Sequence, residues 1–149
     1  MNLRWKMGAL FSVDFEVRDY ELDQFGVVNN AVYQNYLEHA RHQFLHQIGI
    51  GAAGVASSGK SLALSEITVK YLSALRSRET FRVEVAIEKI GGARVVFLQK
   101  IHALGENRLV LTARAVAVFL NENGRPTRVT PEHRAALTSY LSGNLAKPL

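Results

Sequence analysis

A chain of 149 residues, 48% of them hydrophobic, is large enough for one domain with a sizeable core. Cysteine is absent, which excludes disulfides, thiolate metal sites and a cysteine nucleophile, and suits a reducing compartment. The formal net charge of +5 favours an anionic partner. The basic residues are scattered, however, without the aromatic-interleaved cluster of a nucleic-acid binder, and a solvated basic surface is the simpler account.

Residues 1–9 read as an N-terminal extension, 10–143 as one domain and 144–149 as a tail. The opening MNLRWKMGALFSV has two basic residues and a brief apolar run, but no signal-length core or cleavage site. The longest mainly apolar stretch, Leu109 to Leu120, is interrupted by Arg114 and is too short to span a bilayer. A cytoplasmic protein without a membrane span is expected.

Phe11, Val13, Phe15 and Val17 alternate with polar residues, the pattern of a half-buried strand. Carboxylates follow at Asp19, Glu21 and Asp23, then a turn at Gly26 and an amphipathic run. Tyr33, Leu37, Ala40, Phe44 and Ile48, with Tyr36 beside them, define one helical face, while Gln34, Glu38, Arg41, His42 and Gln47 fall mostly on others. Asn29 or Asn30 is a natural N-cap and Gly49 a natural stop. The glycine- and serine-rich segment from Gly49 to Lys60 reads as a loop. Leu62 to Leu72 is strand-like, but its apolar phase shifts near Ser65-Glu66. Leu62 and Leu64 would face one side and Ile67, Val69 and Tyr71 the other, so the spacing predicts a bulge or twist.

Phe81, Val83, Val85 and Ile87 alternate as a further strand, and Gly91-Gly92 turns the chain into another from Arg94 to His102. The last strand, Leu109 to Leu120, carries small Ala113, Ala115 and Ala117 on one face, where another element can approach closely. Asn123-Gly124 closes it, and Thr130-Pro131 opens a short helix through Leu141 with Gly143 as its stop. Successive hairpin-like strands and one long helix predict an α+β fold, a five-stranded antiparallel sheet wrapped around that helix.

Two motifs are misleading. Gly54 to Ser61 fits G-x-x-x-x-G-K-[ST], but a P-loop needs a strand before it and a helix after it, and here that order is reversed. His39, His42 and His46 share helical spacing without an H-E-x-x-H motif, and with Glu38 expected to point elsewhere they read as polar surface, not a metal site. There is no G-x-S-x-G elbow. Asp23 stands out because it precedes a helix start whose free N–H groups can hold a developing oxyanion. An acid there can equally be solvated or complement the helix dipole.

The run Asp23-Gln24-Phe25-Gly26-Val27-Val28-Asn29-Asn30-Ala31-Val32-Tyr33, continuing to Glu38-His39-Ala40-Arg41, resembles the signature of hot-dog-fold thioesterases of the 4-hydroxybenzoyl-CoA type. GVVNNAVY followed by EITVKYLSALRS is especially similar to the acyl-lipid thioesterase group, and the similarity runs from Val13 to Val129. The resemblance implies Asp23 as catalytic carboxylate and the backbone N–H of Asn30 as the group that polarises the thioester carbonyl. It implies substrate contacts from Gly26, Val27 and Tyr33, and from Gly92, Ala93 and Arg94, which match a region that often lines the pantetheine channel. It implies no metal or cofactor, an acyl-CoA or acyl carrier protein substrate, a fatty rather than aromatic acyl group, and a homodimer or homotetramer with sites between subunits. The alternatives are an acyl-thioester-binding protein without turnover, or a dehydratase or hydratase of the same fold. The latter usually needs a histidine at the site, and none lies near the Asp23 turn in sequence.

Overall fold

The computed structural model describes residues 11–51 and 60–142. Five strands form one antiparallel sheet: β1 (Phe11–Glu16), β2 (Ser61–Tyr71), β3 (Thr80–Ile90), β4 (Arg94–Ala103) and β5 (Arg108–Leu120). Their order across the sheet is β1-β3-β4-β5-β2. The long helix α1 (Asn30–Gln47) lies against one face, and a short helix α2 (Pro131–Thr138) follows β5. This is the expected hot-dog architecture.

Antiparallel partners share a face, so the register fixes which residues meet α1. Phe81, Val83, Val85 and Ile87 of β3 oppose Ala103, Ile101, Gln99 and Phe97 of β4. Those in turn lead to Leu111, Ala113 and Ala115 of β5. Every apolar residue in these sets is buried, as are Tyr33, Tyr36, Leu37, Ala40 and Phe44 of α1. The helix lies over this face, and Ala115, fully buried, is small where Phe97 is large.

The predicted irregularity in β2 is a bulge between Leu64 and Glu66. Its effect differs from the sequence expectation. Leu62 opposes Phe119, Leu64 opposes Ala117, Ile67 opposes Ala115 and Val69 opposes Ala113, all on the face that carries α1. The extra residue absorbs the phase shift, so both halves of the strand present their apolar residues to the same side.

Asn29 is the N-cap of α1, and Gly49 at φ +86° follows its C-cap residue Ile48. Thr130 caps α2 with Pro131 in its first turn, but that helix ends at Thr138, short of the expected Leu141. The chain turns there because Leu141 pairs with Ile87 on the part of the β3 edge that β1 leaves open. Residues 1–10 and the end of the chain from 143 lie outside the described residues, as does most of the Gly54–Lys60 motif. Ser61 opens β2, so a strand follows that motif.

Candidate active site

The segment 17–30 is folded by local hydrogen bonds into a closed turn. The N–H of Asp23 donates to Val27 O at 2.8 Å, that of Gly26 to Asp23 O at 3.1 Å, and that of Asn29 to Glu21 O at 3.0 Å. Gly26 has φ +76°, a left-handed conformation that disfavours any residue with a Cβ. The turn is pinned from outside by the segment before β3. Val28 N–H donates to Leu75 O, Val27 bridges to Arg76, and Tyr33 Oη accepts from the Leu75 N–H at 3.0 Å. Arg108 braces that segment, donating to Ser73 Oγ, Ala74 O and Glu79 Oε2.

The three carboxylates of this stretch have different surroundings. Asp19 Oδ1 accepts from Ser77 Oγ at 2.6 Å on the surface. Glu21 is buried, its Oε1 accepting from Tyr36 Oη at 2.7 Å and from the Arg18 N–H at 2.8 Å. Burial, and then the hydrogen bond to that carboxylate, hold the Tyr36 phenol well above its ordinary pKa. Half-buried Asp23 uses only Oδ1, which accepts from the Phe25 N–H at 2.8 Å and the Val27 N–H at 3.4 Å. Among the described residues Oδ2 has no hydrogen-bond partner, so the carboxylate is oriented through one oxygen and open at the other.

The first turn of α1 is similarly divided. Asn29 Oδ1 accepts from the Ala31 N–H at 2.9 Å, and Asn29 O accepts from the Val32 N–H at 2.8 Å. The Asn30 N–H, first in the helix, is left without a partner among the described residues. An open carboxylate oxygen and an open helix-terminal N–H thus belong to one closed turn. That pairing can activate water and hold the charge developing on a carbonyl oxygen.

Asp23, Gly26, Val27 and Asn30 are therefore brought together. Tyr33 lies in the core, 2% exposed, with its hydroxyl on Leu75. Gly92, Ala93 and Arg94 are at the opposite end of the sheet, beyond the far end of β3, roughly 30 Å away along the strand. There Val129 N–H donates to Gly92 O, Phe119 N–H to Ala93 O and Arg134 Nη2 to Gly91 O. The turn borders a groove of about 540 Å³ with Lys89, Arg94 and Arg114 on its walls. Among the described residues no hydrogen bond, ion pair or ring contact joins a histidine to the Asp23 turn. His39 packs edge-on against Phe15, and His102 Nε2 is 3.1 Å from Glu84 Oε1 on the sheet face away from α1. Among the described residues no three metal-ligating side chains cluster.

A second cavity, of about 460 Å³, runs beside α1 toward β2, lined by Glu38, Arg41, His42, Leu45, Leu62 and Phe97 among others. Two expectations are corrected here. Arg41, placed by its spacing mostly off the apolar helical face, is only 8% exposed, because its guanidinium turns inward and donates from Nη1 to Gln99 Oε1 at 2.9 Å. Glu38 does not point away from the histidines, since its Oε1 lies 3.8 Å from His42 Nε2. Periodicity had no means of finding Arg41, Gln99 or the Leu75 clamp, whose partners are distant in sequence.

Residues 17–137 match the family model of the thioesterase-like superfamily. Over 135 residues the chain is 46% identical to the chloroplastic acyl-acyl carrier protein thioesterase ATL3 of Arabidopsis thaliana, covering 91% of this chain and 71% of that protein. Two solved structures share its fold. The 1,4-dihydroxy-2-naphthoyl-CoA thioesterase Slr0204 of Synechocystis superposes with a TM-score of 0.81 at 15% identity, covering 87% of this chain and 96% of that one. SAV2348 of Staphylococcus aureus, solved in complex with CoA, reaches 0.88 at 17% identity, covering 100% and 92%. The chain belongs to the thioesterase-like superfamily of hot-dog proteins, and it is an acyl thioester hydrolase. Among the described residues no helix is long and apolar enough to cross a membrane.

Proposed function

We propose that the Asp23 turn is the catalytic centre of a fatty-acyl thioesterase, acting on acyl-acyl carrier protein or acyl-CoA and working as a homodimer or a larger homo-oligomer. One observation carries the reading: among the described residues Asp23 Oδ2 and the Asn30 N–H are both left without a partner on one hydrogen-bonded turn. The thioester oxygen accepts from the Asn30 N–H, reinforced by the α1 dipole. Water attacks the carbonyl carbon while its proton passes to Asp23 Oδ2. The C–S bond then breaks, and the departing sulfur takes up that proton. Two N–H donors on Oδ1 fix the orientation of the group and leave Oδ2 to meet a water, the arrangement a general base requires.

The phosphate-bearing part of the substrate fits the far end of a second copy. Among the described residues β2, 11 residues long, is an edge strand of the sheet. Antiparallel pairing of two β2 edges about a two-fold axis sets the Ser61 end of one beside the Tyr71 end of the other. It thereby brings Gly92, Ala93 and Arg94 of one copy toward the Asp23 turn of its partner. The relative ATL3, named for acyl-acyl carrier protein, supports a carrier-linked acyl chain. Thiol release measured over acyl carrier and CoA thioesters of several chain lengths tests the substrate; faster turnover of benzoyl than aliphatic thioesters would refute the fatty-acyl reading. Light scattering at micromolar concentration tests the assembly, and a 16.6 kDa monomer would refute a site built between copies.

A further inference from the structure

We infer that the cavity beside α1 is a binding site for an apolar carboxylic acid, whose carboxylate sits on Arg41. Arg41 is 8% exposed, yet among the described residues its guanidinium makes one hydrogen bond, to the neutral amide of Gln99. Gln99 is itself fixed, 1% exposed, donating from Nε2 to Leu37 O at 3.0 Å, so its carbonyl oxygen has no freedom to leave Arg41. No carboxylate among the described residues lies within ion-pair distance of Arg41; Glu38, one turn back, acts on it only from further off, its Oε1 lying 3.8 Å from His42 Nε2.

With one neutral acceptor the guanidinium keeps donors to spare, and because no fully buried side-chain nitrogen or oxygen among the described residues lacks a partner, those donors reach accessible space rather than closed protein. A partner for them belongs in the cavity that Arg41 lines. At about 460 Å³ the space is of ligand size. Gln34, His42, Lys60 and Ser61 make its polar walls, and Leu45, Ile50, Leu62, Leu64, Phe97 and Ala117 its apolar ones. A carboxylate matches the guanidinium fork, and a hydrocarbon body matches those walls. Glu38 at the same wall disfavours a doubly charged phosphate. The acid could be the free product of hydrolysis or a second carboxyl group on the acyl chain; both present the same chemistry to Arg41.

Binding of a preformed acid needs no turnover, so this inference and the hydrolytic role of Asp23 fail independently. Titration calorimetry with decanoate and with 1-decanol, which has the same chain without the charge, tests it. The wild-type protein should bind decanoate at least tenfold more tightly than decanol. Arg41→Met should erase that preference while keeping decanol affinity within about twofold, hydrophobic replacement of a buried ion being often tolerated. Ala117→Leu, which keeps Arg41 and fills the cavity from β5, should weaken both ligands about tenfold and holds the test open if Arg41→Met does not fold. Competitive inhibition of thiol release by decanoate identifies the free acid as the source; faster release from an ω-carboxyacyl than a methyl-ended thioester identifies the substrate. Equal affinities in the wild type, a preference that survives Arg41→Met, or no binding of either ligand would overturn the inference.

Discussion

Asp19, Glu21 and Asp23 are chemically alike and spaced by two, yet the fold gives one to a serine, one to a buried tyrosine and leaves one oxygen of the third open. Asp23→Asn separates chemistry from structure. Asn Oδ1 can still accept from the Phe25 and Val27 N–H groups, so the stability change should stay within about 1 kcal/mol. Loss of the proton acceptor should lower kcat on the order of 10²-fold or more, read by thiol release beside a melting curve. Tyr36 gives a pH signature. Burial and the Glu21 carboxylate raise its folded pKa above the ordinary value of 10.0, so the folded state favours the neutral phenol. That contribution is complete below about pH 10 and is lost as the pH rises further, because only the unfolded phenol ionises there. The melting temperature should therefore fall above about pH 10. Tyr36→Phe should flatten that decline and cost about 1–3 kcal/mol at neutral pH by leaving Glu21 underbonded.

At the scale of elements, β5 and the start of α1 each answer to a single residue type. Ala115 is fully buried between Phe97 and Ile67 on the face that carries α1, whereas Ala117 borders the cavity. Ala115→Leu should destabilise by about 1–3 kcal/mol through overpacking, while Ala117→Leu, with open space beside it, should cost less than about 1 kcal/mol in urea denaturation. Equal losses would show that the cavity closes in solution. Asn29 satisfies the Ala31 N–H with its side chain, and Asn29→Ala should cost about 1 kcal/mol as a lost cap. Its effect on kcat should be smaller than that of Asp23→Asn, because the Asn30 N–H remains at the helix end.

At the scale of the whole molecule, Lys89, Arg94, Arg125, Arg128 and Arg134 lie toward the Gly91-Gly92 end with Glu88, Glu122 and Glu132, while at the Asp23 end the acids are interleaved with Arg18, Arg76, Arg78 and Arg108. In the proposed two-fold arrangement Arg94 of one copy comes toward the Asp23 turn of its partner. Arg94→Glu should then raise KM for an acyl carrier protein or acyl-CoA thioester about tenfold, the equivalent of one charge-assisted hydrogen bond of about 1.5 kcal/mol, with little change in kcat. A truncated thioester without phosphate should be unaffected. The KM of the full substrate should also rise with ionic strength.

Alternating apolar residues in β1, β3 and β5 and the helical face from Tyr33 to Phe44 made the α+β sheet-and-helix plan legible in the chain itself, because both periods are imposed by burial on one side. The Asp23-to-Tyr33 motif likewise marked the candidate turn, since its hydrogen bonds span only a few residues. What no periodicity encodes is which distant residue completes a contact. The bulge at Ser65 was visible as a broken phase, but only pairing with β5 decided that both halves of β2 face α1. Spacing sets Arg41 mostly off the apolar helical face; Gln99, 58 residues away, turns it inward. The separation of Gly92 to Arg94 from Asp23 by a strand length is likewise set by how β3 and β4 lie in the sheet. Local geometry follows from neighbours in sequence, whereas the surroundings of a charge follow from whatever the fold brings against it.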